Sequence, residues 1–188
     1  MLYIMRHGTT DWNVRLKLQG RTDVPLNDAG RELAKKAAEE YKNVHFDICY
    51  CSPLIRAKET AEIMLEGRNI PIIPDERLIE MSFGEYEGMD YSFDTPDGPM
   101  PESPINVIFV SPEKYTSSIG GSEPFSELFA RTGDFLKETA YPLVNEGKDV
   151  LIVGHGAMDS SIVCQVKNIP VADFWKAGIQ NCKLMRLM

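Results

Sequence analysis

Two periods of apolar residues run along this chain. Leu2 to Met5 is a short apolar run that stops at Arg6, the pattern of a buried strand opening into a polar loop. From Asn27 onward, Gly30, Leu33, Ala34, Ala37, Ala38 and Tyr41 recur at spacings of three and four, which predicts an amphipathic helix capped by Asn27 or Asp28. A β-like run, FDICYC, comes next. Ser52 as cap and Pro53 at the first helical position then predict a helix with Ala57, Ala61, Met64 and Leu65 on one face. The prolines of IPIIP bracket another short strand.

Periodicity is lost from Met89 to about Gly121, where Pro, Ser and Asp accumulate; this predicts an excursion with one short element around Ile105 to Val110. A long helix is expected from about Ser122, with Phe125, Leu128, Phe129, Thr132, Phe135 and Leu136 as its core stripe. DVLIVGHG is the clearest buried strand, followed by an apolar helix over MDSSIVCQV and a last strand near Cys182 to Leu187. Strands alternating with helices predict an α/β fold whose largely parallel sheet is covered on both faces. Ligands of such sheets bind at the carboxyl ends of strands. Three polar motifs stand there: Arg6-His7-Gly8, Ser52 to Arg56, and Gly154-His155-Gly156.

Composition narrows the picture. The 188 residues are 43% apolar and 26% charged, ordinary for one core. A single domain over 1–188 is expected, with a lid-like insertion at about 89–121. The formal net charge of −8 disfavours nucleic acid but not a small anion in a locally basic pocket. No apolar run approaches the roughly 18 residues of a membrane span, and MLYIMRHG is too short to resemble a secretory signal, so the expected location is the cytoplasm. The four cysteines lack CxxC spacing and read as buried reduced thiols; no histidine accompanies them at zinc-ligand spacing. His45 reads as a surface residue.

Two of the three histidines end strands and precede glycine, and two arginines stand at equivalent strand ends. Phosphoryl transfer through a phosphohistidine needs such a set. A neutral imidazole can attack phosphorus near neutral pH if one ring nitrogen is held protonated, and a carbonyl near Gly8 suits that task at His7. The planar forks of Arg6 and Arg56 match phosphoryl oxygens, and His155, if protonated, adds a further donor. The leaving oxygen requires an acid; Glu76, Glu80, Glu85 and Glu87 are all candidates on composition alone.

RHGTTDWN, QGRTDVPLNDAG, CSPLIRAKETA, LIEMSFGEYEG and VGHG, in this order, resemble the successive motifs of the histidine phosphatase, or phosphoglycerate mutase-like, superfamily. The resemblance implies a three-layer α/β/α sandwich with a mostly parallel central sheet and an inserted flap. It implies His7 as the phosphorylated nucleophile, Arg6, Arg56 and His155 as the phosphate pocket, and Glu80 as proton donor and later base. Asn13, Gln19, Gly20, Gly156 and Ala157 match positions lining the substrate site, and no metal or cofactor is implied. Thr9 stands where many relatives have glutamate, Tyr86 replaces a usual tryptophan, and Pro124 sits where a serine often helps cap a helix.

Within such a family, a mutase needs cations for a second anionic group, and the 89–121 stretch offers Lys114 alone against Asp90, Asp94, Asp97, Glu102 and Glu113. The expectation is therefore a phosphoric monoester hydrolase acting on a small phosphorylated metabolite, with no nucleic-acid or membrane partner, as a monomer or a homodimer. The alternatives are a phosphoglycerate-mutase-type transferase, a catalytically silent binding protein on the same fold, and a metal-dependent hydrolase, which the lack of an Asp or Glu ligand cluster near the histidines disfavours.

Overall fold

A computed structural model describes residues 1–92 and 96–188. Phe93, Asp94 and Thr95 lie outside the described residues, so the Asp94 charge has no structural counterpart below. In chain order the main elements are β1 (Leu2–Arg6), α1 (Asp11–Val14), α2 (Asp28–Glu40), β2 (Ile48–Cys51), α3 (Ile55–Met64), β3 (Ile72–Pro74), α4 (Val107–Val110), α5 (Phe125–Phe135), α6 (Tyr141–Asn145), β4 (Val150–Gly154), α7 (Gly156–Lys167) and β5 (Leu184–Arg186). Among the described residues five strands form one sheet in the order β3-β2-β4-β1-β5, and each pairing in it is parallel except that of β5 with β1.

The central strand β4 is buried at all five residues. Alternation along it divides the core in two. Val150 and Ile152 pack with Leu128 and Phe135 of α5 and Ile162 of α7, while Leu151 and Val153 pack with Ala34 of α2 and Ala57, Ala61 and Met64 of α3. Helices thus cover both faces, as the sequence pattern predicts. β1 follows the same rule: Leu2 and Ile4 join the α5/α7 side and Met5 the α2/α3 side. Arg6 is in phase with Leu2 and Ile4, which turns its side chain toward α7.

Helix starts differ from the pattern reading in two places. α3 begins at Ile55, not Pro53: the Ser52 hydroxyl accepts the N–H of Leu54 at 3.3 Å in a tight turn, and Asp23 Oδ1, from a distant loop, accepts the first helical N–H, that of Ile55, at 2.8 Å. α5 begins at Phe125, not Ser122, because the N–H of Ser122 goes to the Ile119 carbonyl, that of Glu123 goes to the Ser82 carbonyl, and Pro124 has none. Pro124 accordingly caps α5 without a side-chain hydrogen bond. The expected stripe holds, with Phe125, Leu128, Thr132, Phe135 and Leu136 buried. Beyond Phe135 the chain continues through one wide turn, Leu136–Ala140, into α6, where Pro142 removes an N–H from the regular ladder.

Asn27 is the cap of α2, its side chain accepting the Gly30 N–H at 2.8 Å. The short α1, which the pattern does not reveal, is closed by a reciprocal box between Thr10 and Asn13. In the 89–121 segment the expected short element is α4, preceded by a tight turn at Pro104–Asn106, and Met100, Ile105, Ile108 and Tyr115 are buried in the α5/α7 core. All four cysteines are free and buried, and burial pushes the thiols of Cys51, Cys164 and Cys182 up to about 11, 11 and 12, out of the reactive range. His45 is exposed.

Candidate active site

The parallel register of β1 and β4 pairs Arg6 with Gly154, so the next residues on each strand, His7 and His155, leave the sheet side by side. Their rings lie 5.1 Å apart, centroid to centroid, at 59°. This is how two histidines from opposite ends of the chain meet. Both are buried, His7 2% and His155 0% exposed.

His7 Nδ1 lies 2.6 Å from the Gly8 carbonyl, which can only accept; Nδ1 therefore carries the proton and Nε2 presents its lone pair. The turn is tied from two sides. Asn181 Nδ2 donates to the His7 carbonyl at 2.6 Å, and the Gly8 N–H donates to Thr60 Oγ1 at 3.0 Å, whose hydroxyl in turn donates to the Arg56 carbonyl. Burial, together with the nearby Arg56 and Arg6 charges, holds His7 well below the ordinary histidine value, against a smaller upward pull from the Gly8 bond.

Arg56, in the first turn of α3, is fully buried and donates to the carbonyls of Gly20 (2.7 Å) and Thr22 (3.0 Å). Burial lowers its guanidinium to about 10, so it stays charged at neutral pH. The 20–22 loop that holds it is fixed by Glu87, which accepts the N–H groups of Arg21, Thr22 and Phe83 and the Thr22 hydroxyl. Gly20 makes this contact feasible, since a Cβ there would stand 2.1 Å from Glu87 Oε1.

Among the four candidate acids, Glu76 and Glu85 are exposed and Glu87 is occupied in the loop clamp, whereas Glu80 is 5% exposed and reaches the start of α7. Its Oε1 accepts the N–H groups of Met81 (2.8 Å) and Met158 (2.9 Å), and Oε2 that of Ala157 (3.2 Å). Burial raises Glu80 above the ordinary carboxylate value, with the N–H bonds and Arg56 pulling the other way.

His155 departs from the protonated donor considered above. Burial first, then the charges of Arg56, His7 and Arg6, hold it well below the ordinary value, so it is a neutral imidazole with one N–H to offer. Among the described residues neither of its ring nitrogens has a protein partner, nor do the Nε atoms of Arg6 and Arg56. Buried donors left open in this way, converging from β1, α3 and β4, suit an anion with several acceptor oxygens.

Beside this group opens a cleft of about 170 Å³ lined by Arg6, Asn13, Gln19, Glu80, Gly156 and Ala157 on its polar side. The same lining carries an aromatic wall: Phe83 stacks on Phe109 (6.3 Å, 18°) and Phe109 on Trp175 (5.4 Å, 27°), and the Trp175 indole is fixed by a 2.7 Å hydrogen bond to the Ile108 carbonyl. Lys17, also in the lining, is engaged with Asp90 (2.9 Å) and the Gly88 carbonyl (3.0 Å). Of the site residues expected from sequence, Arg6, His7, Arg56, Glu80 and His155 come together, and Asn13, Gln19, Gly156 and Ala157 line the cleft. Gly20 does not line it; it is buried and acts through its carbonyl on Arg56. Sequence reasoning missed Thr60, Asn181 and the aromatic wall, none of which carries a local signal.

The model of the histidine phosphatase superfamily (branch 1) matches residues 2–188. The chain is 36% identical over 166 residues to a Bacillus subtilis (strain 168) phosphatase, PhoE, described as uncharacterised; the match spans 87% of this chain and 75% of that one. It is 28% identical to phosphoserine phosphatase 1 of Hydrogenobacter thermophilus, over 96% and 82% of the two chains. Among solved structures, Bacillus stearothermophilus YhfR superimposes with a TM-score of 0.81 at 32% identity, over 97% of this chain and 88% of that one.

Proposed function

Since this chain belongs to the histidine phosphatase superfamily, we propose that it is a phosphatase of small phosphate monoesters whose alcohol portion carries an apolar or aromatic group. The observation that carries this reading is the aromatic wall of the cleft. A mutase must hold a second anionic group of its substrate, but here the cleft beside the phosphate pocket carries Phe83, Phe109 and Trp175, and the cation of its lining other than Arg6, Lys17, is paired with Asp90. Lys114 of the 89–121 segment is exposed and outside the lining. The buried thiols fit a reducing compartment, in keeping with the cytoplasm.

In the first half-reaction, the Nε2 lone pair of His7 attacks phosphorus in line with the ester oxygen. The P–N bond forms as the P–O bond breaks, and Glu80 gives its proton to the leaving oxygen. Arg6, Arg56 and the His155 N–H stabilise charge on the equatorial oxygens. In the second half-reaction, the Glu80 carboxylate takes a proton from water as the water oxygen attacks phosphorus; the new P–O bond forms as the P–N bond breaks, its electron pair returns to His7 Nε2, and inorganic phosphate leaves.

The test is phosphate release from aryl, apolar alkyl and doubly anionic phosphate monoesters, alongside isomerisation of 2- and 3-phosphoglycerate. The expected result is the highest kcat/KM on aryl and apolar esters, with isomerisation far slower than hydrolysis. Isomerisation outrunning phosphate release would overturn the reading.

A further inference from the structure

The Glu80 carboxyl is aimed by the start of α7, but its backbone is held from elsewhere. Arg21 Nε donates to the Glu80 carbonyl at 3.2 Å. Three residues earlier, Arg131 Nη1 from α5 donates to the Arg77 carbonyl at 2.6 Å, and two residues later the Glu123 N–H donates to the Ser82 carbonyl at 2.8 Å. The segment that carries the acid is thus hooked at residues 77, 80 and 82. Both arginines are anchored on one carboxylate. Arg131 grips Glu123 with a fork, Nε to Oε1 at 2.7 Å and Nη2 to Oε2 at 2.9 Å, and Arg21 Nη2 lies 3.2 Å from Oε1. Glu123 is buried, and the Arg21 side chain is the more exposed of its two partners, 43% against 16% for Arg131.

Arg21 is not part of the cleft lining; it borders a separate polar hollow of about 240 Å³ with Ser82, Ser122 and Glu123. It therefore reaches the acid through the backbone. Its chain neighbours serve the phosphate: the carbonyls of Gly20 and Thr22 hold Arg56, and the Arg21 N–H is taken by Glu87. One residue thus joins the loop that seats the phosphate clamp to the segment that supplies the proton. Such a join matters because proton delivery depends on placement, and an error of about 1 Å can cost roughly a hundredfold in rate.

We propose that Arg21, anchored by Glu123, is a positioning residue for the general acid: it sets the Glu80 carboxyl against the ester oxygen of a phosphate seated by Arg56, a role that rests on Glu80 as the proton donor. Neither Arg21 nor Glu123 touches the reacting atoms. Without the guanidinium the phosphate still binds, because Glu87 keeps the 20–22 loop and its two carbonyls in place. What is lost is accurate proton delivery, so the loss falls on esters whose leaving oxygen needs that proton. Glu123 without its charge would leave two guanidinium groups facing each other, and Arg21, the more exposed, would be released to water.

The experiment compares kcat/KM of wild type and Arg21→Met for an alkyl phosphate and for 4-nitrophenyl phosphate, whose leaving group needs little protonation, together with inhibition by inorganic phosphate. This ratio spans the steps up to release of the alcohol and so reads the first half-reaction. The expected result is a roughly tenfold loss on the alkyl ester, less than about twofold on the aryl ester, and unchanged inhibition by phosphate. Glu123→Gln should show the same selectivity. Added to Glu80→Gln, Arg21→Met should cost nothing further, because no acid is left to position. Equal losses on both esters, weakened phosphate inhibition, or a further loss in the double variant overturns the proposal. Glu80→Gln separates the two claims: if it lowers both esters equally, the acid assignment itself fails; if it spares the aryl ester and Arg21→Met is not selective, only the positioning role fails. A folded Glu123→Gln with the wild-type alkyl rate contradicts the anchor, and should that variant not fold, Arg21→Met decides.

Discussion

In the proposed mechanism His7 is readied by two groups that fix its turn and by two neighbouring charges. The Gly8 carbonyl fixes which nitrogen is free, and Asn181, arriving from the far end of the chain, holds that carbonyl turn in place. Burial and the guanidinium groups of Arg56 and Arg6 keep the ring neutral, so the acidic limb of kcat/KM is expected well below pH 6.5, the ordinary histidine value. Activity that falls with a midpoint at or above pH 6.5 would contradict this. The stability consequence has the same cause. Below pH 6.5 the unfolded chain takes up protons that buried His7 and His155 refuse, so stability declines as pH falls through that value. At this scale the sequence was informative about His7 and its carbonyl acceptor because both lie within one motif. Composition left the acid open among four glutamates and only the family resemblance singled out Glu80, since its burial against α7 arises from tertiary packing. Asn181 is likewise unmarked by any local pattern.

Among the elements, α3 carries most of the positioning. It delivers Arg56 from its first turn, Thr60 to the Gly8 amide, and the Ala57/Ala61/Met64 face to the sheet. Its own start is satisfied from elsewhere, by Asp23 on the Ile55 N–H. Asp23→Ala is therefore expected to cost about 1 kcal/mol, read as a lower urea midpoint with unchanged slope, and to weaken phosphate binding through Arg56. A variant with full stability and full phosphate affinity would show that the cap is idle. The apolar spacing made α3 legible, but its first residue was not. Ser52 and Pro53 are good helix starters in isolation, and the competing Ser52 turn and the remote Asp23 cap shift the boundary to Ile55. For α5, Ser122 is diverted in the same way: its hydroxyl bonds with Tyr115 and the Ile119 backbone, and the helix waits for Phe125.

Across the whole molecule, strand order and register make the site. The β1/β4 pairing sets His7 beside His155, β2 leads into α3 and Arg56, and the turn after β3 brings Glu80 to the N-terminus of α7. The fold class was legible because a buried parallel sheet writes continuous apolar runs. The aromatic wall was not, because Phe83, Phe109 and Trp175 come from three separate segments, one of them in the aperiodic 89–121 stretch. The measurement that bears most directly on this account is a rapid acid-free quench with phosphorus-labelled substrate. Wild type should carry acid-labile, base-stable phosphate on His7, formed at least as fast as steady-state turnover and absent from His7→Ala. Label on another residue, or turnover undiminished in His7→Ala, would contradict it.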